Sequence, residues 1–170
     1  MSTTAPALIS VEDYLRRTEK PNCEYIDGAI YPKPMPTSLH SLIQSMLVLL
    51  LSRQGVRALT ELTLRLGPTK YLIPDVTVVS KVEIPYPVEP ALLCAEILSP
   101  TDHLGAMLAK CEQYHEWGVP FCWVVDPAKR SAWEYHAGGE PARLDASGVL
   151  RAGTLQVELA ELFAEIPSEG

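Results

Sequence analysis

Positive charge is scarce in this chain of 170 residues. Lys and Arg number 14 against 21 Asp and Glu, a formal net charge of −7. A protein that grips nucleic acid over its whole surface needs basic groups to replace phosphate counterions, so that class is disfavoured, although a local basic patch is not. Long apolar runs are missing as well. The longest is Met46–Leu51, far short of the roughly 20 residues that a membrane-spanning helix requires. No basic stretch followed by an apolar one stands near the start, so no secretory leader is expected. The four cysteines, Cys23, Cys94, Cys111 and Cys122, form no C-x-x-C pair and no zinc-knuckle spacing. Cys94 and Cys122 sit in apolar runs, where cysteine behaves as a small buried hydrophobe. These features suit a reducing compartment, and a cytoplasmic protein without membrane contact is expected. No G-x-S-x-G elbow and no phosphate-binding glycine loop is present.

What the chain does have is core-forming material: 47% of its residues are apolar. Its length fits one domain over residues 1–170, with an ordered core from about 8 to 164. The prolines gather in connections, at Pro32, Pro34 and Pro36 and again at Pro85, Pro87 and Pro90. Ser10 can cap a short helix over Val11–Arg17. Asp27-Gly28 is a turn signal inside a hairpin over Glu24–Tyr31. Thr37 or Ser38 opens a helix to about Gln54, striped by Leu39, Leu42, Ile43, Met46, Leu47 and Leu50. Val48, Leu49 and Leu51 make its second half apolar on nearly every side. One sheet face cannot cover all of that surface, and a homodimer is expected.

Residues 59–66 alternate as a half-exposed strand, and Tyr71–Val79 reads as a second. Ala91–Leu98 is almost continuously apolar, as in a strand covered on both faces. Ser99-Pro100-Thr101-Asp102 ends it and caps a helix to about Trp117, which Gly118 stops. Phe121–Asp126 and Ala132–His136 follow as strands. One more strand after Val149 and a short helix around Glu158–Phe163 close the chain. This order predicts an α/β or α+β sandwich with a mixed central sheet flanked by helices.

Two acids stand where strands should be apolar, Asp75 after Pro74 and Glu96 between Ala95 and Ile97. A buried carboxylate needs a hydrogen-bonding partner, a cation or solvent. Taken singly, each acid is better explained by a structural ion pair or a capped bulge. Taken together on neighbouring strands, they would form an oxygen-rich site of the kind that Mg²⁺ or Mn²⁺ prefers. Lys110 lies at the edge of the apolar stripe Leu104, Met107, Leu108, Cys111 and Tyr114. Its stem can follow that surface while the ammonium reaches the sheet. Pattern alone favours an ordinary solvated lysine, whose removal would leave the fold intact. Cys111 and His115 are one helical turn apart, but no second pair completes a zinc site.

The ordered blocks Pro74-Asp75-Val76, Glu96-Ile97-Leu98-Ser99-Pro100, Lys110 with Tyr114, Gly118-Val119-Pro120 and Trp123-Val124-Val125-Asp126-Pro127 resemble the Uma2 family. Glu24-Tyr25-Ile26-Asp27-Gly28, the proline-rich bend, His40 and the ending Leu159-Ala160-Glu161-Leu162-Phe163 agree with it. The resemblance implies a restriction endonuclease-like, PD-(D/E)xK fold, with Asp75 and Glu96 as ligands of Mg²⁺ or Mn²⁺. It implies hydrolysis of phosphodiester bonds, with DNA a candidate substrate and the type of nucleic acid left open. The lysine usual two residues after the glutamate is replaced by Leu98, so Lys110 from the next helix would be the third catalytic residue. Glu24 and His40 match supporting positions. The arginine often found before Pro-Asp is Ile73 here. The rival reading is a non-catalytic protein-interaction module that keeps this fold.

Overall fold

A computed structural model describes residues 7–168; the first six residues and the last two, where disorder is expected, lie outside it. Among the described residues, four helices and twelve strands follow one another. Helix α1 spans Val11–Leu15, two residues shorter than expected, and Ser10 caps it by accepting from the Asp13 amide. Strands β1 (Cys23–Ile26) and β2 (Ala29–Pro32) form the hairpin about Asp27-Gly28, where both residues take positive φ. Helix α2 spans Ser38–Ser52, and the Thr37 hydroxyl accepts from the His40 amide.

The two strands expected next are each broken in two. Residues 57–67 become β3 (Arg57–Thr60) and β4 (Leu64–Gly67), and residues 70–79 become β5 (Lys70–Leu72) and β6 (Val76–Val79). The first break carries Glu61 at φ 51. The second carries Pro74, which has no amide to offer a ladder. Both breaks occur at one level, because β3 and β6 pair as far as Thr60 and Val76. The chain therefore leaves one sheet and later re-enters it at the same place.

The larger sheet has the order β10-β9-β8-β7-β6-β3, and the smaller has β2-β1-β5-β4. Strand β7 is Leu93–Ile97, β8 is Phe121–Asp126, β9 is Ser131–His136 and β10 is Ala142–Leu144. Helix α3, Leu104–Trp117, joins β7 to β8, which run parallel. His103, not Asp102, takes its N-cap position, without a side-chain bond. Asp102 instead accepts from the Ser99 amide and closes the loop on itself. Gly118 does end α3, at φ 115, and a Cβ there would stand 2.8 Å from Pro90 Cγ, so the stop and the packing both demand glycine. The single late strand expected after Val149 is a hairpin of β11 (Val149–Ala152) and β12 (Leu155–Glu158), followed by α4 (Leu159–Leu162).

Alternation divides the large sheet's side chains between two cores. Val76, Val78, Ala95, Ile97 and Val125 pack with Ile43, Leu47 and Leu51 of α2 and with Leu159 and Leu162 of α4. Cys94, Cys122 and Val124 pack on the other side with Cys111 and Tyr114 of α3 and with Leu64 and Leu72 of the small sheet. The apolar surplus expected on α2 is largely absorbed: Leu51 is buried and Val48 half-buried, because the β12–α4 unit covers that flank. Leu49, 43% exposed, is what remains. Among the described residues no helix is long and apolar enough to cross a membrane, and all four cysteines are free.

Candidate active site

Asp75 is the last residue before β6, and Glu96 is the fourth residue of β7. The antiparallel register pairs Val76 with Ala95. One step further, that register sets Asp75 opposite Glu96. The Glu96 side chain reaches Tyr114 and Lys110 of α3, whereas Asp75, just outside β6, reaches Lys33, the Ile97 amide and His40 of α2. The register therefore sets the two acids as cross-strand neighbours at the end of the β6–β7 ladder.

Each acid is buried with its own cation. Asp75 Oδ1 accepts from Lys33 Nζ at 2.9 Å, and Oδ2 accepts from the Ile97 amide at 2.7 Å, with His40 Nε2 at 3.2 Å. Burial alone would push this carboxyl up, but the hydrogen bond from His40 and the charge of Lys33 outweigh it. They hold Asp75 well below the usual carboxylate range. Glu96 Oε1 accepts from the Tyr114 hydroxyl at 2.7 Å and from Lys110 Nζ at 2.8 Å. Burial dominates here and pushes Glu96 up to about 7, against the pull of the Lys110 ammonium. Two neighbouring carboxyls thus sit at opposite ends of the acid range, a separation that commonly marks sites of acid–base chemistry.

Lys110 is not the solvated lysine that its pattern favours. Its ammonium also holds Glu24 Oε1 at 2.6 Å, and its side chain is nearly buried. Burial disfavours the charged lysine, yet Glu96 and Glu24 more than compensate and raise its pKa. Glu24 in turn accepts from the Ile73 amide, which ties β1 to the break between β5 and β6. His40 enters from the first turn of α2. Burial would lower its pKa, but the hydrogen bond to Asp75 and that carboxylate's charge raise it. Its Nδ1 is buried and has no hydrogen-bond partner among the described residues.

Three contributors were not anticipated. Lys33 Nζ binds Glu61 at 3.2 Å and the Ile73 carbonyl at 2.8 Å besides Asp75. Gln44 Nε2 donates to Glu61 Oε1 at 3.0 Å and to the Asp75 carbonyl at 2.8 Å. The sequence held one clue, since Gln44 lies one turn after His40 on a helix otherwise apolar on that side. For Lys33 and Glu61, remote in sequence and set in a loop and a strand break, no local pattern points inward. Glu24, Lys33, His40, Gln44, Asp75 and Lys110 all border a cleft of about 520 Å³. Cys111 and His115 do not form a paired site: His115 Nδ1 stands 2.8 Å from the Val119 carbonyl.

A mixed sheet with paired acids at adjacent strand ends and helices packed on it sets the chain among nuclease-like α/β folds. The chain belongs to the Uma2 family, whose description reads "putative restriction endonuclease" and which matches residues 11–164. A crystal structure described as a "putative nuclease belonging to DUF820" from Anabaena variabilis is similar at 25% identity. It covers 92% of this chain and 98% of that one, with a TM-score of 0.79. The cryo-electron microscopy structure of a DrdV–DNA complex matches at 22% identity, with 60% of this chain and 65% of that chain covered. Its TM-score is 0.43, too low to build on. No curated protein matches the chain.

Proposed function

We propose that this protein is a nuclease that hydrolyses phosphodiester bonds of DNA with the help of Mg²⁺ or Mn²⁺. The observation that carries the reading is the facing pair Asp75 and Glu96, with the Lys110 ammonium 2.8 Å from Glu96, beside an open cleft. The donor chemistry fits a hard cation. Four carboxyls, Glu24, Glu61, Asp75 and Glu96, meet two ammoniums, Lys33 and Lys110, and the His40 imidazole, so acidic groups outnumber the basic ones. Among the described residues no three His, Cys, Asp or Glu side chains gather into a ready-made ligand set. Asp75 and Glu96 would therefore be the protein's two ligands, and Mg²⁺ commonly fills its remaining positions with water and phosphate oxygens. When bound, the ion supplies an activated water and stabilises charge on the phosphate.

The chain's own residues contribute the rest. The Lys110 ammonium can offset negative charge that develops beside Glu96. Tyr114 fixes the Glu96 carboxylate through its hydroxyl. His40 presents Nδ1 as a site for proton exchange while Nε2 stays on Asp75. Glu96→Gln is expected to weaken Mn²⁺ binding by at least about tenfold, because a carboxylate ligand becomes a neutral amide. Calorimetric titration checks this, and equal affinity in the variant and the parent would remove Glu96 from the site.

A non-catalytic interaction module is favoured by one observation: both Asp75 oxygens are already bonded within the chain. Absence of any Mn²⁺ binding by the parent protein would select that reading. We also propose the reducing cytoplasm as the compartment, which suits four free cysteines, and self-association into a homodimer. With α2 largely covered, the apolar surface for pairing is the β6–β7 loop, where Val82, Ile84 and Val88 are exposed. Light scattering at micromolar concentration is expected to show a dimer, and a clean monomer would end that proposal.

A further inference from the structure

The loop that brings Lys33 to the centre offers a second surface to the cleft. Proline alternates with Lys33 and Met35 from Pro32 to Pro36. Lys33 turns inward, but Tyr31 is 51% exposed and Met35 69% exposed, and both border the cleft that holds Asp75 and Glu96. The prolines restrict the backbone, so this apolar rim is held in place before any ligand arrives. His40, Ser99 and Asp102 also border a second hollow of about 430 Å³, walled by Leu98, Pro100 and Trp133. The acidic centre thus lies in a groove with apolar walls in both hollows.

The charge of the groove narrows what it can hold. Glu24, Glu61, Asp75, Glu96 and Asp102 border the cleft against Lys20, Lys33 and Lys110. Lys33 and Lys110 are each already committed to two carboxylates. Duplex DNA is held chiefly through many phosphate contacts to basic groups, and the chain's net charge is −7. An unpaired strand also contacts basic groups through its backbone, but unlike a duplex it adds the stacking of exposed bases on aromatic side chains. We infer that the substrate is an unpaired DNA strand, with a base laid against Tyr31 and Met35 beside the carboxylate pair. This rests on the nuclease reading above.

The test separates binding from cleavage. Fluorescein-labelled single-stranded DNA of about 12 nucleotides, the blunt duplex of the same sequence and the matching single-stranded RNA are titrated by anisotropy without divalent ions. Single-stranded DNA is expected to bind at least about tenfold more tightly than the duplex. Tyr31→Ala should weaken it by about 5- to 150-fold, the range for loss of one stacked base, while Tyr31→Phe keeps the ring and the affinity. Duplex bound as tightly, affinity unchanged in Tyr31→Ala, or RNA bound in preference would each overturn the inference. If no strand binds at all, the rim serves another partner and the inference is equally overturned. A parallel digestion with Mn²⁺ distinguishes the two readings. Duplex cleavage indifferent to Tyr31→Ala removes only the single-strand assignment. Tyr31-dependent binding of single strands without any cleavage removes only the nuclease.

Discussion

Asp75→Asn is expected to abolish cleavage, with activity falling at least about a thousandfold, and also to lower folding stability by roughly 3–5 kcal/mol, the usual cost of stripping one partner from a buried charge pair. The asparagine carbonyl can still accept from the Ile97 amide. On that side it can also still accept from His40 Nε2, now 3.2 Å from Oδ2, but its NH₂ would face Lys33 Nζ, which now donates to Oδ1 at 2.9 Å. Donor would meet donor, and the ammonium would keep only Glu61 and the Ile73 carbonyl. His40 would keep a neutral acceptor but lose the carboxylate charge that helps raise its pKa, so its titration should move to lower pH. Urea denaturation, an NMR titration of His40 and an oligonucleotide digestion read the three effects separately. A variant that cleaves normally would remove Asp75 from the chemistry. One that is inactive with an unchanged His40 titration would contradict the hydrogen-bonded pair.

Lys110→Ala carries the second large effect, and its dependence on pH is specific. In the intact protein, burial pushes Glu96 from the ordinary carboxylate range up to about 7, with Lys110 pulling the other way. Above its unfolded pKa but below its folded one, the folded state binds the extra proton. This group's contribution to stability therefore declines as pH rises through that window. Without the ammonium, the ionised form of Glu96 is costlier still, and Glu24 loses the same partner. The variant should be destabilised by about 3–5 kcal/mol at pH 8. The loss should be smaller at pH 5, where Glu96 can remain protonated and neutral. Denaturation at the two pH values checks the difference, and an equal loss at both would show that Glu96 does not sense Lys110. Cleavage should fall by about 10²- to 10³-fold, as for removal of a preorganised charge. Lys110→Arg should restore only part of it, because a planar fork cannot replace a compact ammonium placed between two carboxylates.

The expectation that Lys110 could be removed without harm came from its place at the edge of a helical stripe. That reasoning is sound for the helix alone. It fails because Glu24 and Glu96, from two different sheets, converge on the ammonium. The split strands teach the same lesson. The alternation of Leu62, Leu64 and Leu66 persists through the region where the chain passes from one sheet to the other, so periodicity does not reveal the crossing. Only Pro74 hinted at it.

The sequence by itself determined the local elements with chemical punctuation: the Ser10 and Thr37 caps, the Asp27-Gly28 turn and the Gly118 stop. It also singled out Asp75 and Glu96, because a carboxylate in an apolar strand violates a local rule and must be answered by something. What answers it was decided by the tertiary structure alone. Lys33 is 42 residues from Asp75 and Lys110 is 86 from Glu24. Such pairings follow from sheet order and register, which no local pattern encodes. The same holds for the ionisation of the site: burial lifts Glu96 while Lys33 and His40 hold Asp75 down, and burial is a property of the packed molecule rather than of any segment.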